Sequence, residues 1–226
     1  MTFSIAGRCE RTGMVGVAVT TSSICVGARC PWASAGVGAV STQNVTLPSL
    51  GPLILARLEA GDSASQALDK VLAEHGHTQY RQVTVIDANG NTANFSGSKT
   101  LGTHAVAQGL DCVAAGNLLK ARSLPQTMVQ TFEENAHLHL AERLLLALES
   151  GFYQAGGEEG PVHSASLMVA DEHPWPLVDL RVDWNEDDPL RELRQLWQRY
   201  EGEMQAYVTR AINPASAPSY GVPGDE

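Results

Sequence analysis

No lysine precedes Lys70, no run of lysine or arginine occurs anywhere, and 15 basic side chains stand against 25 acidic ones. With a net charge of −10 and a pI of about 5.1, the chain lacks the cationic surface that holds nucleic acid or an anionic membrane. It has no apolar stretch long enough to cross a bilayer and no charged segment leading into an apolar leader, which excludes a membrane partner and favours the cytoplasm. The four cysteines, Cys9, Cys25, Cys30 and Cys112, form no C-x-x-C pair, and their spacing fits neither a zinc site nor a disulfide framework; reduced thiols are expected. The G-x-S-x-G string of a serine-triad hydrolase is absent. So are the P-loop and dinucleotide glycine patterns, because Gly36-Val37-Gly38 runs into a further strand segment and not into a helix. His75/His77 and His137/His139 are i, i+2 pairs, which point to different faces of a helix, so no metal is expected, and no cofactor. What remains is a small neutral or cationic molecule, or another protein.

The 226 residues, 43% hydrophobic and 18% charged, suit one compact unit over residues 1–212, followed by a Pro/Ser/Gly-rich tail at 213–226. Alternating Val15, Val17 and Val19 predict a strand, with others over Phe3 to Arg8, Ile24 to Gly27 and Ala35 to Ser41. After Pro48 the period becomes helical to Gly61, and Ser63-Ala64-Ser65-Gln66 has the form of a capping box opening a second helix. Ala88-Asn89-Gly90-Asn91 predicts a hairpin between Gln82 to Asp87 and Thr92 to Ser96. Strands are expected at His104 to Gln108 and Cys112 to Ala115. A helix opening near Pro125 follows, then another over Leu138 to Leu148 with Glu142, Arg143 and Glu149 on its wet side. Strands at Ser164 to Ala170 and Leu177 to Val182 precede one long helix from Pro189, carrying Leu190, Leu193, Leu196, Trp197 and Tyr200 at helical spacing. Amphipathic helices in this order need sheet faces to cover, and two central sheets between helical layers satisfy that.

The opening Met1-Thr2-Phe3 has a chemical reading. Loss of one residue frees a threonine whose hydroxyl is a nucleophile and whose α-amine, titrating near ~8, is its own base. The plain alternative is that Thr2 is merely a small second residue. Several segments taken together resemble the domain of unknown function 1028 family across nearly the whole chain. They are Thr2-Phe3-Ser4-Ile5, Thr12-Gly13 with Gly16-Val17-Ala18-Val19, Val26-Gly27, Pro31, Ala35-Gly36-Val37-Gly38-Ala39-Val40 leading into Thr42-Gln43, Arg81-Gln82 before Asp87, Gly116-Asn117-Leu118-Leu119, Ala141-Glu142-Arg143-Leu144-Leu145, Ser164-Ala165 and Val178-Asp179-Leu180-Arg181-Val182-Asp183. The resemblance implies an α+β, four-layer αββα sandwich of the N-terminal nucleophile hydrolase type. It further implies an amidohydrolase cleaving the C–N bond of a small amide, ureido or amidine-like metabolite through Thr2 once Met1 is lost. The alternative is a non-catalytic protein of that fold that keeps Met1 and binds a small metabolite in the same cleft.

The resemblance also orders the candidate site. Thr21, at the end of the second strand, and Asn117, after Gly116, are expected beside Thr2; each is equally readable as an ordinary strand or turn residue. Ser41-Thr42-Gln43-Asn44 is expected as a strand-to-helix connection bordering the site, with Thr42 and Gln43 equally readable as plain turn residues. Relatives with the proteasome mechanism use a lysine to lower the nucleophile's pKa; here Arg29 is the only nearby cation in sequence, a candidate substrate-binding residue that supplies positive potential but cannot act as a base, the alternative being a solvated surface arginine. Where the family carries Gly-Gly-Asp, Arg-Gly and Gln-Ser-Ala, this chain reads Gly156-Gly157-Glu158-Glu159-Gly160-Pro161-Val162-His163-Ser164-Ala165. Glu158 and Ser164 are expected to orient the amine, with His163 a substrate contact. The alternatives are an exposed acidic loop and a structural histidine. Trp184-Asn185 departs from the family's Asp-His, which points to a subgroup with its own ligand. The apolar stripe of the last helix and the tail make a homodimer the expected assembly.

Overall fold

The computed structural model describes residues 1–224, so the last two residues of the expected 213–226 tail lie outside the described residues. Among the described residues, two antiparallel sheets and six α-helices make up a mixed α/β fold. The larger sheet holds β1 (Thr2–Arg8), β2 (Val15–Thr21), β7 (Ala105–Gly109), β8 (Cys112–Asn117), β9 (Ser164–Ala170) and β10 (Val178–Val182), in the order β10-β9-β2-β1-β8-β7. The smaller holds β3 (Pro31–Ser34), β4 (Gly38–Asn44), β5 (Arg81–Asp87) and β6 (Thr92–Ser96), in sequence order.

Strand alternation sorts side chains to two faces. Phe3 and Ile5 of β1 join Leu124, Met128 and Phe132 of α3 (Leu124–Glu134) and Leu144, Leu145 and Leu148 of α4 (Leu140–Glu149) in one core. Val40, Val83 and Val85 of the smaller sheet pack on α1 (Leu50–Glu59) and α2 (Ala64–Ala73) in another. The opposite faces of the two sheets meet: Ala6, Val15, Val17 and Val113 pack with Ala39 and Ile86. β1 thus lies in the middle of the larger sheet, covered on both faces, and its first residue opens at one end of the space between the sheets.

Local signals explain most of the boundaries. Ser63 accepts from the Gln66 amide while the Gln66 side chain accepts from the Ser63 amide, closing the capping box at the start of α2. In the β5–β6 hairpin the Asp87 carboxylate accepts from the amides of Asn89 and Asn91, and Gly90 takes φ 86°. Other segments depart from the pattern. Val26–Ala28 is a 3-10 turn and not a strand, because Cys25 at φ 57° breaks the extended run. Thr42, Gln43 and Asn44 belong to β4 and not to a connection. Arg143, expected to be wet, is buried: its guanidinium lies 3.8 Å from the centre of the Phe132 ring and donates to the Phe132 carbonyl.

The terminal helix divides into α5 (Pro189–Tyr200) and α6 (Met204–Ile212). The apolar stripe of α5 is spent inside the protomer. Leu190, Leu193 and Trp197 are buried with β9 and β10 residues, and Arg194 ties α5 to Glu142 and Glu149 of α4 at 2.6 and 2.7 Å. All four cysteines are free thiols, and no helix among the described residues is long and apolar enough to cross a membrane.

Candidate functional site

Register in the larger sheet sets Ser164, Thr21, Thr2 and Asn117 side by side on four adjacent strands: Thr21 pairs with Ser164, and Thr2 pairs with both Thr21 and Asn117. Each is buried. The hydroxyls of Thr2 and Thr21 lie 3.0 Å apart, and both donate to the Met1 carbonyl, Thr2 Oγ1 at 2.6 Å. Ser164 looks the other way in bonding: its hydroxyl donates to the Ser23 carbonyl and accepts from the Val26 amide, holding the 22–28 segment against the row.

Asn117 is fixed from the smaller sheet. Its Nδ2 donates to Gln82 Oε1 at 3.1 Å, the same atom that accepts from Gln43 Nε2 at 2.8 Å; Gln43 Oε1 in turn accepts from Ser4 Oγ at 2.7 Å. Gln82 Nε2 donates to Ser96 Oγ and to the Gly116 carbonyl. This buried chain of amides and hydroxyls leaves one acceptor over, Asn117 Oδ1, which has no hydrogen-bond partner. Buried polar atoms without partners are costly and rare, so this orphan calls for an explanation.

A second orphan stands next to it. After Asn117 the chain turns through Leu118, whose φ of 51° aims its carbonyl at the Glu159 amide (2.9 Å), while Leu119 bridges Glu158 and the Lys120 amide donates to the Gly157 carbonyl. Gly156 and Gly157, at φ 87° and 68°, supply the left-handed turn that this docking needs. Glu158 is thereby held at 1% exposure, and neither of its oxygens has a hydrogen-bond partner among the described residues. Burial pushes its carboxyl up to about 8; the charge of the Met1 amine, then the Ser22 amide, pull the other way. Met1 closes the end of the row, its methyl carbon 2.8 Å from where a Cβ on Gly160 would stand.

The remaining sequence candidates lie around this group or turn from it. Gln43 belongs to the buried chain. Thr42 shares the face of Val40, toward α1, and its hydroxyl is engaged with Thr46. Asn44, at φ 74°, donates to the Tyr80 carbonyl and accepts from the Leu101 amide. The Arg29 guanidinium acts on Cys30, whose thiol burial pushes up to about 11, and contributes nothing to the Glu158 carboxyl. His163 stacks on Trp184 with ring centres 4.4 Å apart and holds the Asn185 carbonyl through Nδ1, while its backbone amide donates to Thr21. Sequence reasoning passed over Ser4, Gln82 and Ser96; in a strand, Gln82 and Thr84 alternating with Val83 and Val85 read as a water-facing side, and here that side faces another sheet. Two open cavities, of about 480 Å³ around Cys9, Arg11 and Arg143 and about 690 Å³ around Asp62 and Asp87, lie away from the row. Among the described residues no group of three or more His, Cys, Asp or Glu side chains is arranged to hold a metal ion.

Comparison with known proteins bears on the whole chain. A solved structure of a Silicibacter pomeroyi protein, itself described by the DUF1028 family model, is 30% identical with a TM-score of 0.80 over 88% of each chain. Anbu, the ancestral beta-subunit from Yersinia bercovieri, is 13% identical with a TM-score of 0.45, over 91% of this chain and 96% of its own. No curated protein matches. The family model matches residues 2–193, a span that opens on Thr2 and takes in Thr21, Asn117, Glu158 and Ser164; the chain belongs to DUF1028, a family of unknown function.

Proposed function

We propose that the protein is an N-terminal nucleophile amidohydrolase. On this reading the two helix-covered sheets form a four-layer αββα sandwich, and Thr2, freed of Met1, cleaves a C–N bond in a small amide, ureido or amidine-like metabolite. One observation carries the reading: Thr2, buried at the end of a central strand, has the Thr21 hydroxyl on one side and Asn117, with its unpartnered Oδ1, on the other, and the Met1 amine just ahead of it acts on the buried Glu158 carboxyl.

Thr2 Oγ adds to the carbonyl-type carbon while its proton passes to the Thr2 α-amine. Collapse breaks the C–N bond, and the amine hands that proton to the leaving nitrogen. Water, deprotonated by the same amine, then releases the acyl group and restores the hydroxyl. Thr21 holds the hydroxyl of Thr2 in line, and Asn117 and Glu158 orient the amine. A family of small amides, ureides and amidines, assayed for released ammonia or amine, tests this together with the intact mass of protein isolated from its host. Active material is expected to lack Met1. Thr2→Ala should lower kcat/KM on the order of a thousandfold or more, and Thr2→Ser should keep measurable activity.

A second reading has its own support, since Met1 lies against the row with its carbonyl accepting from both threonine hydroxyls. In that case the protein keeps Met1 and binds a metabolite without turnover. Active protein that retains Met1, or undiminished activity in Thr2→Ala, overturns the nucleophile reading.

A further inference from the structure

The substrate class follows from the acceptors around Thr2, and this step rests on the nucleophile reading above. We infer that the site takes a substrate carrying a cationic nitrogen at or beside the bond to be cleaved, an amidinium or ammonium whose N–H groups are held by Glu158 and Asn117 Oδ1. Asn117 Oδ1 is buried without a partner, and both Glu158 oxygens are buried with no donor at full hydrogen-bond geometry, the Ser22 amide being the protein donor that acts on them. The unpartnered buried side-chain nitrogens among the described residues belong to Arg8, Arg81, His139 and Arg210, none of them in the Ser164–Thr21–Thr2–Asn117 row. Side chains that offer spare acceptors and no spare nitrogen donor are matched by a ligand rich in N–H donors, and a charged one compensates the buried carboxylate.

No arginine or lysine among the described residues pairs with Glu158, and the positive charge acting on it is the amine of Met1. Met1 therefore marks how a ligand lies: a carbonyl oxygen against the hydroxyls of Thr2 and Thr21, and an ammonium in the field of Glu158. While empty, the carboxyl keeps its proton because burial disfavours its charge; a bound cation supplies the partner that lets it ionise. A carboxylate accepts at both oxygens, so the freed Thr2 amine and a substrate nitrogen can share it. The chain's charge of −10 draws cations and repels anions at longer range.

Acetamidinium and acetamide have the same shape and differ in charge, which makes them the probes. The Thr2→Ala chain, released from a cleavable fusion so that Met1 is absent, is titrated with each by calorimetry; no turnover is involved. Acetamidinium is expected to bind at least tenfold more tightly than acetamide, and adding Glu158→Gln should bring the two affinities together. Equal affinities before that change, or a preference that survives it, overturn the inference. Should Glu158→Gln not fold, magnetisation transfer between the acetamidinium methyl and the protons of Thr21 and Gly160 in the otherwise unaltered Met1-free chain reads the same point, and transfer elsewhere or none overturns it. A cation preference without hydrolysis of any C–N substrate counts against the nucleophile reading alone; hydrolysis without the preference counts against this inference alone.

Discussion

Along β1 the space between the sheets changes character within two residues. Ala6 packs with Val15, Val17, Ala39, Ile86 and Val113 in a dry apolar plug, whereas Ser4 donates to Gln43 and begins the buried polar chain that ends at Asn117. Both ends are almost fully buried, so exposure does not separate them. Satisfaction does: the apolar side chains have nothing to leave unpaired, while the polar stretch leaves over Asn117 Oδ1, opposite Thr2, and Thr84 Oγ1 on β5, with the Glu158 carboxyl near the Met1 amine also short of partners. The apolar end fixes how the sheets stack, and the polar end carries the unmet bonding capacity, as expected where a ligand completes the set.

Substitution can break this contrast. The largest loss of stability is expected from Ile86→Ala at the apolar end, about 3 kcal/mol from lost transfer energy and the cavity left behind. Its chemical denaturation midpoint should fall, with kcat/KM of the folded fraction unchanged. Gln82→Leu at the polar end should cost somewhat less, roughly 2 kcal/mol, because Gln43, Asn117 and Ser96 each lose a partner. Here kcat/KM should fall as well, on the order of tenfold or more, since the Asn117 amide is no longer held. A Gln82→Leu protein with full activity would show that the buried chain serves packing alone.

Smaller effects sharpen the contrast through pH. The Glu158 carboxyl has its folded pKa raised from 4.5 to about 8, so its protonated form is the one the fold favours. Its contribution to stability is complete below about pH 4.5 and lost as pH rises toward 8. Unfolding titrations across that window should show a decline in the unaltered protein that flattens in Glu158→Gln. The smallest effect lies far from both ends. His139 accepts the Ala141 amide through Nδ1 as the N-cap of α4, and burial holds its pKa below 6.5. Being neutral in the fold, it stabilises fully above about pH 6.5, and that support fades as pH falls below it. His139→Asn keeps a cap acceptor and should remove this dependence at a change of about 1 kcal/mol or less.

Much of the scaffold was legible in the sequence because local rules decide it. The Ser63–Gln66 box, the Asn89–Gly90 turn and the strand of Ser164 to Ala170 all follow from residues within a few positions of one another. The start of the chain and the family resemblance also pointed to Thr2, Thr21, Asn117 and Ser164, which register makes neighbours. What stayed hidden depends on partners distant in sequence. Gln82 and Ser96 are polar positions in alternating strands, and nothing local says that their polar face meets a sheet and not water. Arg143 reads as wet until Phe132 covers it, and the helical spacing of Leu190, Leu193 and Trp197 does not say that β9 and β10 are what they pack against. Thr42 to Asn44 read as a connection because the helical period begins after Pro48, yet β4 runs on through them by pairing with Arg81 to Val83 of β5.

The central claim is that the Thr2 hydroxyl is the attacking group, and covalent trapping tests it most directly. Protein lacking Met1 is treated with a small β-lactone, which acylates an activated hydroxyl, and the adduct is located by peptide mass mapping. The expected result is one stoichiometric adduct on Thr2, absent from protein that retains Met1 and from Thr2→Ala. Hydrolytic activity that persists with Thr2 unmodified, or an adduct carried by another residue, would contradict the account.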